Sequence, residues 1–249
     1  EIMPSLVGSE MCIRDSDITF INTCFENRKM SYYEHCRYRN FEGVAIVCAD
    51  YNDPDVLELM NSDLPVVTID YVHHNCTAVS SNNIQGMEDL VKYIYQQGHR
   101  KIAYIHGQEN SYVTKDRLAS FYRTMDELGL EVPDEYIRTA DYLETKEAAR
   151  QTREILNLPD VPTCIIYPDD TALIGGRNVI IEMGLRIPRD ISVAGYDGTR
   201  ISQLLHPKLT TIRQNTELIG SEAAKRLIGT IEKPRTTLVE RVVIEGSLV

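Results

Sequence analysis

The sequence predicts an α/β protein built from parallel sheets with helices on both faces. Three observations predict it. Short apolar runs rich in Val, Ile and Ala recur along the chain: "GVAIVCA", "LPVVTID", "KIAYIHG", "PTCIIY" and "DISVAGYD". Amphipathic stretches of helical length separate them. The strand–helix series then runs a second time, as two lobes would. Runs that are continuously apolar, rather than alternating, fit strands buried on both faces, the habit of parallel sheets covered by helices.

The elements follow in order. "ITFINT" reads as a short buried strand, "KMSYYEHCRYR" as a helix, "GVAIVCA" as a strand, residues 54–62 as a helix and "LPVVTID" as a strand. "IQGMEDLVKYIYQQG" reads as a helix stopped by Gly98, since a glycine just past the last periodic residue closes a helix in the left-handed conformation. "KIAYIHG" is the next strand, "TKDRLASFYRTMDELG" and "EAARQTREIL" are helices, and "PTCIIY" is a strand. "DTALIGGRNVIIEMG" is a helix, "DISVAGYD" a strand and "ELIGSEAAKRLIGTIE" a helix. No short-period repeat or low-complexity tract interrupts the series.

The 249 residues suffice for one large domain or two smaller lobes. The longest apolar run, "VAIVCA", is far too short to cross a bilayer, and no membrane partner is expected. A net charge of −11 argues against nucleic-acid binding by these residues, because phosphate contacts need clustered Lys and Arg. Of the six cysteines none lies two residues from another, which excludes a zinc knuckle or a thioredoxin-type motif. Cys48 and Cys164 fall in apolar runs and are expected to pack as small hydrophobes. Scattered thiols without a framework favour a reducing cytoplasm. The opening residues 1–16, "EIMPSLVGSEMCIRDS", carry neither a helical nor a strand period and no signal-peptide pattern. They resemble the translation of a transposon mosaic-end sequencing adapter and are expected to be a non-native scar.

Ligands of open parallel sheets bind beyond the C-terminal ends of the strands. Here those stretches are "NTCFEN", "CADYND", "IDYVHHN", "HGQENSYVTKDR", "YPDD" and "GYDGTR". They are polar, rich in Asp and Asn, and carry Tyr, which suits a neutral hydroxylated ligand held by carboxylate and amide hydrogen bonds beside an aromatic ring. No enzyme constellation is evident: no "GxSxG", "GxxxxGKS" or "GxGxxG" occurs. His73 and His74 beside Cys76 lack a third ligand at helical spacing and read as a polar loop. No catalytic residue, metal or cofactor is expected.

The second half carries a specific pattern. "GHRKIAYIHG", "DRLASFYRTMDELGL", "PTCIIYPDDTAL" and "RIPRDISVAGYDGT" followed by "LTTIRQ" resemble the LacI/GalR family of bacterial transcription regulators, and the resemblance runs from about residue 17 to 249. It implies a two-lobed, periplasmic-binding-protein-like effector domain: an incomplete N-terminal lobe of residues 17–97 and 214–234, and a C-terminal lobe of residues 98–213 and 235–249 that includes the last strand, "LVERVVIEG". It implies a small-molecule effector, most simply a sugar, whose binding closes the lobes and controls operator DNA binding by a helix-turn-helix outside these residues. It also implies a homodimer in the cytoplasm. The competing expectation is an extracytoplasmic sugar-binding protein of a transporter.

The resemblance also supplies site residues. Arg117 in "DRLASF" matches an arginine that grips effector oxygens, with Ser120 where the family commonly has Gly. Asp197 in "GYDG" matches the effector-binding carboxylate. Asp169 occupies a position that is often Asn; it is expected to contact ligand while Asp170 caps the following helix. Tyr142 in "ADYLET" matches an aromatic on which a sugar face can stack, and Asn83 in "VSSNNIQG" matches a ligand contact at the lobe junction. Tyr112 and His106 are weaker candidates.

Overall fold

The computed structural model describes residues 17–21 and 30–249, so the expected scar with Cys12, the last two residues of "ITFINT" and Cys24 lie outside the described residues. The elements are α1 (Tyr32–Tyr38), β1 (Val44–Ile46), α2 (Pro54–Met60), β2 (Val66–Ile69), β3 (Thr77–Ser81), α3 (Asn83–Gln96), β4 (Ile102–His106) and α4 (Tyr112–Glu127). They continue with β5 (Ile137–Thr139), α5 (Thr145–Leu156), β6 (Cys164–Ile166), α6 (Asp170–Glu182), β7 (Ser192–Asp197), α7 (Arg200–Leu204), β8 (Thr210–Arg213), α8 (Thr216–Glu232), β9 (Arg241–Ile244) and β10 (Ser247–Leu248). The chain divides into two units, the first holding the described residues up to Ser81 with Asn215–Ile244, the second Asn82–Gln214 with Glu245–Val249.

The first unit has a wholly parallel sheet in the order β1-β2-β3-β9. Alternate residues of β2 serve opposite faces. Val66 packs with Cys36, Val56, Leu59 and Met60, whereas Val67 packs with Val79, Ile219, Ala223 and Ile244. Helix starts are specified locally. Ser31 and Glu34 form a reciprocal capping box on α1, Asp53 caps α2 ahead of Pro54, and Asn215 caps α8.

The second unit has the sheet β10-β8-β7-β6-β4-β5, parallel except for the antiparallel β10 edge. Here too the strands read as continuously apolar because both faces are covered. Ile102 and Tyr104 of β4 pack against Met87, Leu90, Phe121 and Met125 of α3 and α4. Ala103 and Ile105 pack against Ala148, Ile155, Leu173 and Ile180 of α5 and α6. The α5–α6 contact depends on Gly175, because a Cβ there would lie 2.0 Å from the Thr145 carbonyl oxygen. Gly175→Ala is therefore expected to cost about 1–3 kcal/mol by forcing the helices apart. Urea denaturation of the variant checks it, with Gly184→Ala as an open-space comparison whose loss comes from backbone strain alone at φ +77°.

Four features differ from the sequence expectation. The first two concern the lobe boundaries. α3, expected with the N-terminal lobe, belongs to the second unit, because its apolar face packs on α4 and β4. β9, expected with the C-terminal lobe, pairs in parallel with β3 from Ala78↔Arg241 to Ser81↔Ile244, so it completes the first sheet and only β10 joins the second. Third, Cys48 is exposed rather than packed, since the chain turns there at φ +52°; Cys164 is buried as expected. Fourth, Ile18 to Ile21 forms no strand. Among the described residues no helix is long and apolar enough to cross a membrane.

Candidate ligand-binding site

The second unit brings four strand ends together with α3 and α4. Arg117, in the second turn of α4, is 3% exposed. Its Nε donates to Asn83 Oδ1 at 2.8 Å and its Nη1 to the Pro168 carbonyl at 2.9 Å, while Nη2 stands 3.9 Å from Asp197 Oδ1. The guanidinium plane covers the Tyr196 ring, with Cζ 3.4 Å from the centroid, and lies 6.0 Å from the Tyr142 ring. Burial opposes the charge on Arg117, but Tyr196, Tyr142, Asp197 and Tyr104 outweigh it and hold its pKa above the usual value. Of the five guanidinium N–H groups, two are committed to Asn83 and Pro168. Nη2 makes neither of these bonds and is the nitrogen that faces Asp197, so it can donate to ligand oxygens there.

Asp197 ends β7 at φ +96° and is followed by Gly198 at φ +64°. Gly198 is required twice over. Its backbone is left-handed, and a Cβ would lie 2.4 Å from Arg213 Cα. A non-glycine residue held at positive φ stores strain, a habit of ligand-binding turns. The Gln214 amide donates to Asp197 Oδ1. Burial pushes the Asp197 carboxyl up, Arg117 pulls it down and Asp169 pushes it up again. Its side chain still keeps 29% exposure, so it is recessed yet reachable.

Tyr142 is half-buried, and its hydroxyl is 2.8 Å from Thr114 Oγ1. Its ring lies over Gly107, where a Cβ would sit 2.3 Å from the ring atoms, so only glycine admits the ring in this place. Asn83, the first residue of α3, is 4% exposed and holds Arg117 from below. Arg117, Asn83, Asp197 and Tyr142 thus come together.

The two adjacent aspartates depart from the roles expected of them. Asp169, not Asp170, caps α6: its Oδ1 accepts the Thr171 and Ala172 amides, each at 2.8 Å. Its Oδ2 accepts the Leu143 amide at 2.8 Å. With both oxygens engaged and 1% exposure, Asp169 is poorly placed to contact ligand directly. Asp170 is fully buried, and its Oδ2 accepts the amide and hydroxyl of Thr199 at 2.7 and 3.0 Å. Burial foremost pushes its carboxyl up to about 6. The native state therefore takes up a proton, as pH falls from 7 towards 5, that an unfolded carboxyl near its ordinary value would not. The stability of the parent minus that of Asp170→Asn is expected to rise over that fall in pH, which urea titrations at pH 7, 6 and 5 measure.

Of the weaker candidates, His106 is buried with Nδ1 2.8 Å from the Gly107 carbonyl, and Tyr112 is 44% exposed at the start of α4. The sequence reading missed Tyr196, the platform beneath Arg117, although it stands inside the "GYD" run. It also missed Tyr104, whose buried hydroxyl has no hydrogen-bond partner and contributes to the field around Arg117. Among the described residues, no group of three or more His, Cys, Asp and Glu is arranged to hold a metal ion.

A parallel α/β unit with a fixed guanidinium, a recessed carboxylate and an aromatic ring at its strand ends defines a small-molecule-binding domain. The family model for the periplasmic binding protein-like domain matches residues 91–249, and the chain belongs to that family as an effector-binding domain of the LacI/GalR type. It is 29% identical over 227 residues to the HTH-type transcriptional repressor PurR of Escherichia coli O139:H28, covering 88% of this chain. The PurR of Shigella boydii serotype 18 matches equally. The chain spans 66% of the length of these repressors. Among solved structures, a regulatory protein of the LacI family from Chloroflexus aggregans is similar at TM-score 0.76 and 27% identity, covering 87% of this chain and 78% of that one. The complex of the transcriptional regulator CelR with cellobiose is similar at TM-score 0.77 and 26% identity, covering 88% and 69%.

Proposed function

We propose that this chain is the effector-binding core of a DNA-binding transcriptional regulator, with a carbohydrate effector bound at Arg117, Asn83, Tyr142 and Asp197. The observation that carries the reading is the Arg117 guanidinium, fixed by Asn83 and Pro168 with its Nη2 3.9 Å from Asp197, beside the Tyr142 ring. Adjacent sugar hydroxyls can accept from the arginine and donate to the carboxylate, and a sugar's C–H face can lie on the tyrosine. The cellobiose complex of CelR supports the ligand class. The relatives named HTH-type repressors support a regulator over a transporter's binding protein and over an enzyme.

Operator DNA is then contacted by a helix-turn-helix outside these residues, and effector binding acts by favouring one conformation of the core, the closure that the family resemblance implies. The protein works in the cytoplasm as a homodimer. α8 supports pairing only weakly, since Ile219, Ala223 and Leu227 pack on its own sheet and Leu218 is left exposed. Sedimentation of the chain against a longer gene product that carries the helix-turn-helix tests the dimer.

A thermal-shift panel of monosaccharides, disaccharides, sugar acids and nucleobases tests the effector class on the 249-residue chain. A sugar at a hundred times its Kd is expected to stabilise the fold by about 2.7 kcal/mol. Stabilisation by a nucleobase and by no sugar would replace the carbohydrate reading. The same chain is expected not to bind operator DNA by itself, given its net charge of −11, which gel-shift titration at low salt checks.

A further inference from the structure

We propose that Asp169 and Asp170 are paired positioning residues of the effector site: Asp169 fastens the loop that carries Tyr142, and Asp170 fastens the turn that carries Asp197. The inference rests on the effector-site reading above, since it assigns what sets the place of the aromatic ring and of the carboxylate.

Both loops leave the ordinary backbone regions beside the residue they present. Leu143, next to Tyr142, has φ +65°, and Asp197 and Gly198 have φ +96° and +64°. Left-handed backbone at non-glycine positions persists only where surrounding contacts hold it. In each loop a carboxylate of the pair supplies such a contact. Asp169 Oδ2 takes the Leu143 amide, and Asp170 Oδ2 takes the amide and hydroxyl of Thr199, two residues beyond Asp197. Because the two aspartates are consecutive at the start of α6, one helix terminus ties down both loops.

The residue type matters at each position. Asp169 accepts three amide N–H groups on two oxygens. An Asn has one acceptor oxygen, so it could cap α6 or hold Leu143 but not both. This chain carries Asp where the family resemblance often has Asn, and the Tyr142 loop gains an anchor from that difference. At Asp170 the opposite oxygen, Oδ1, has no hydrogen-bond partner and lies 2.4 Å from where a Gly195 Cβ would be. The position therefore needs a small acceptor on one side and a glycine neighbour on the other.

The Asp170 anchor is also sensitive to protons. The groups facing it are the Thr199 amide and hydroxyl from the turn, Thr211 from β8, Gly195 from β7 and the Asp197 carboxylate at the end of β7, with Asp169 adjacent on its own element. Thr211 Oγ1 accepts the Gly198 amide at 3.2 Å and lies near enough to favour the charged carboxylate, while Asp197 disfavours it. Protonation replaces a charge-assisted bond to Thr199 by a weaker one and loosens the turn.

Amide NMR and hydrogen exchange on the 249-residue chain test this without any ligand, so failure of the carbohydrate reading and failure of this one are separate results. In the parent, the Thr199 amide proton is expected to move upfield as pH falls, with a midpoint near 6, and in Asp170→Asn that titration should vanish. Asp169→Asn should speed exchange of the Leu143 amide about tenfold and leave Thr199 unchanged, and Asp170→Asn should do the reverse. A Thr199 amide that does not titrate in the parent overturns the Asp170 assignment even if no variant folds. Equal loosening of both loops by either variant, or no loosening at all, overturns the pairing in favour of a general packing role.

Discussion

Arg117→Ala is expected to destabilise the second unit by about 3–5 kcal/mol, the scale of removing one partner from a buried charged network. The loss has three sources. Asn83 Oδ1 and the Pro168 carbonyl lose the donors that now reach them at 2.8 and 2.9 Å. The Asp197 carboxyl, already pushed up by burial, loses the cation that offsets it. The Tyr196 face loses a guanidinium 3.4 Å away, leaving a void beside a fully buried ring. Arg117→Lys separates charge from shape. A lysine keeps the cation, but as a point donor it cannot serve Asn83 and Pro168 at once or cover the ring, so about 1–3 kcal/mol of loss is expected to remain. Urea denaturation followed by circular dichroism measures both. A loss below about 1 kcal/mol for Arg117→Ala would mean that water replaces the guanidinium at little cost, as for an exposed charge.

The sequence made some parts of this arrangement legible for definite reasons. β2, β4, β6 and β7 stand out because burial on both faces demands unbroken apolar runs, β1 reads alike although its Ala45 is exposed at the sheet edge, and α3 to α6 stand out by their helical spacing. β3, β5 and β8 did not, because they carry hydroxyl residues whose burial depends on neighbouring strands; Thr77 and Thr211 are both buried. The lobe boundary at α3 was misread because its apolar face is equally suited to either sheet, and periodicity does not say which one it meets. Arg117, Asn83 and Asp197 were legible through motif resemblance; Asn83 accepts a hydrogen bond from Arg117, and Asp197 stands 3.9 Å from its guanidinium. The roles of Asp169 and Asp170 were not legible, because they turn on a single-residue difference in where α6 begins. Tyr196 escaped notice because a tyrosine in an apolar strand reads as core, which it also is.

Asp197→Ala is expected to lower affinity for the stabilising sugar ten- to a hundredfold while leaving the rest of the fold in place. The carboxylate is the site's exposed acceptor: its side chain keeps 29% exposure, whereas Asp169 and Asp170 are spent on backbone amides. Losing a charged acceptor costs about 1.5–3 kcal/mol, which is that range of affinity. Alanine adds a second penalty because φ +96° suits it poorly, so Asp197→Asn is the sharper comparison. Asparagine tolerates positive φ and keeps one acceptor oxygen, which Gln214 can still meet. If charge matters, Asn should lose most of the affinity that Ala loses; if geometry matters, Asn should recover most of it. In a longer gene product that carries an operator-binding segment, the Ala variant should still bind operator, because the change is confined to a turn of the second unit. It should fail to respond to sugar, because a ligand without differential affinity for two conformations shifts neither. Calorimetry on the chain and effector titration of operator binding read the two halves separately. Parental affinity in both variants would make Asp197 a turn residue, kept for the backbone it forms with Gly198 rather than for what it holds.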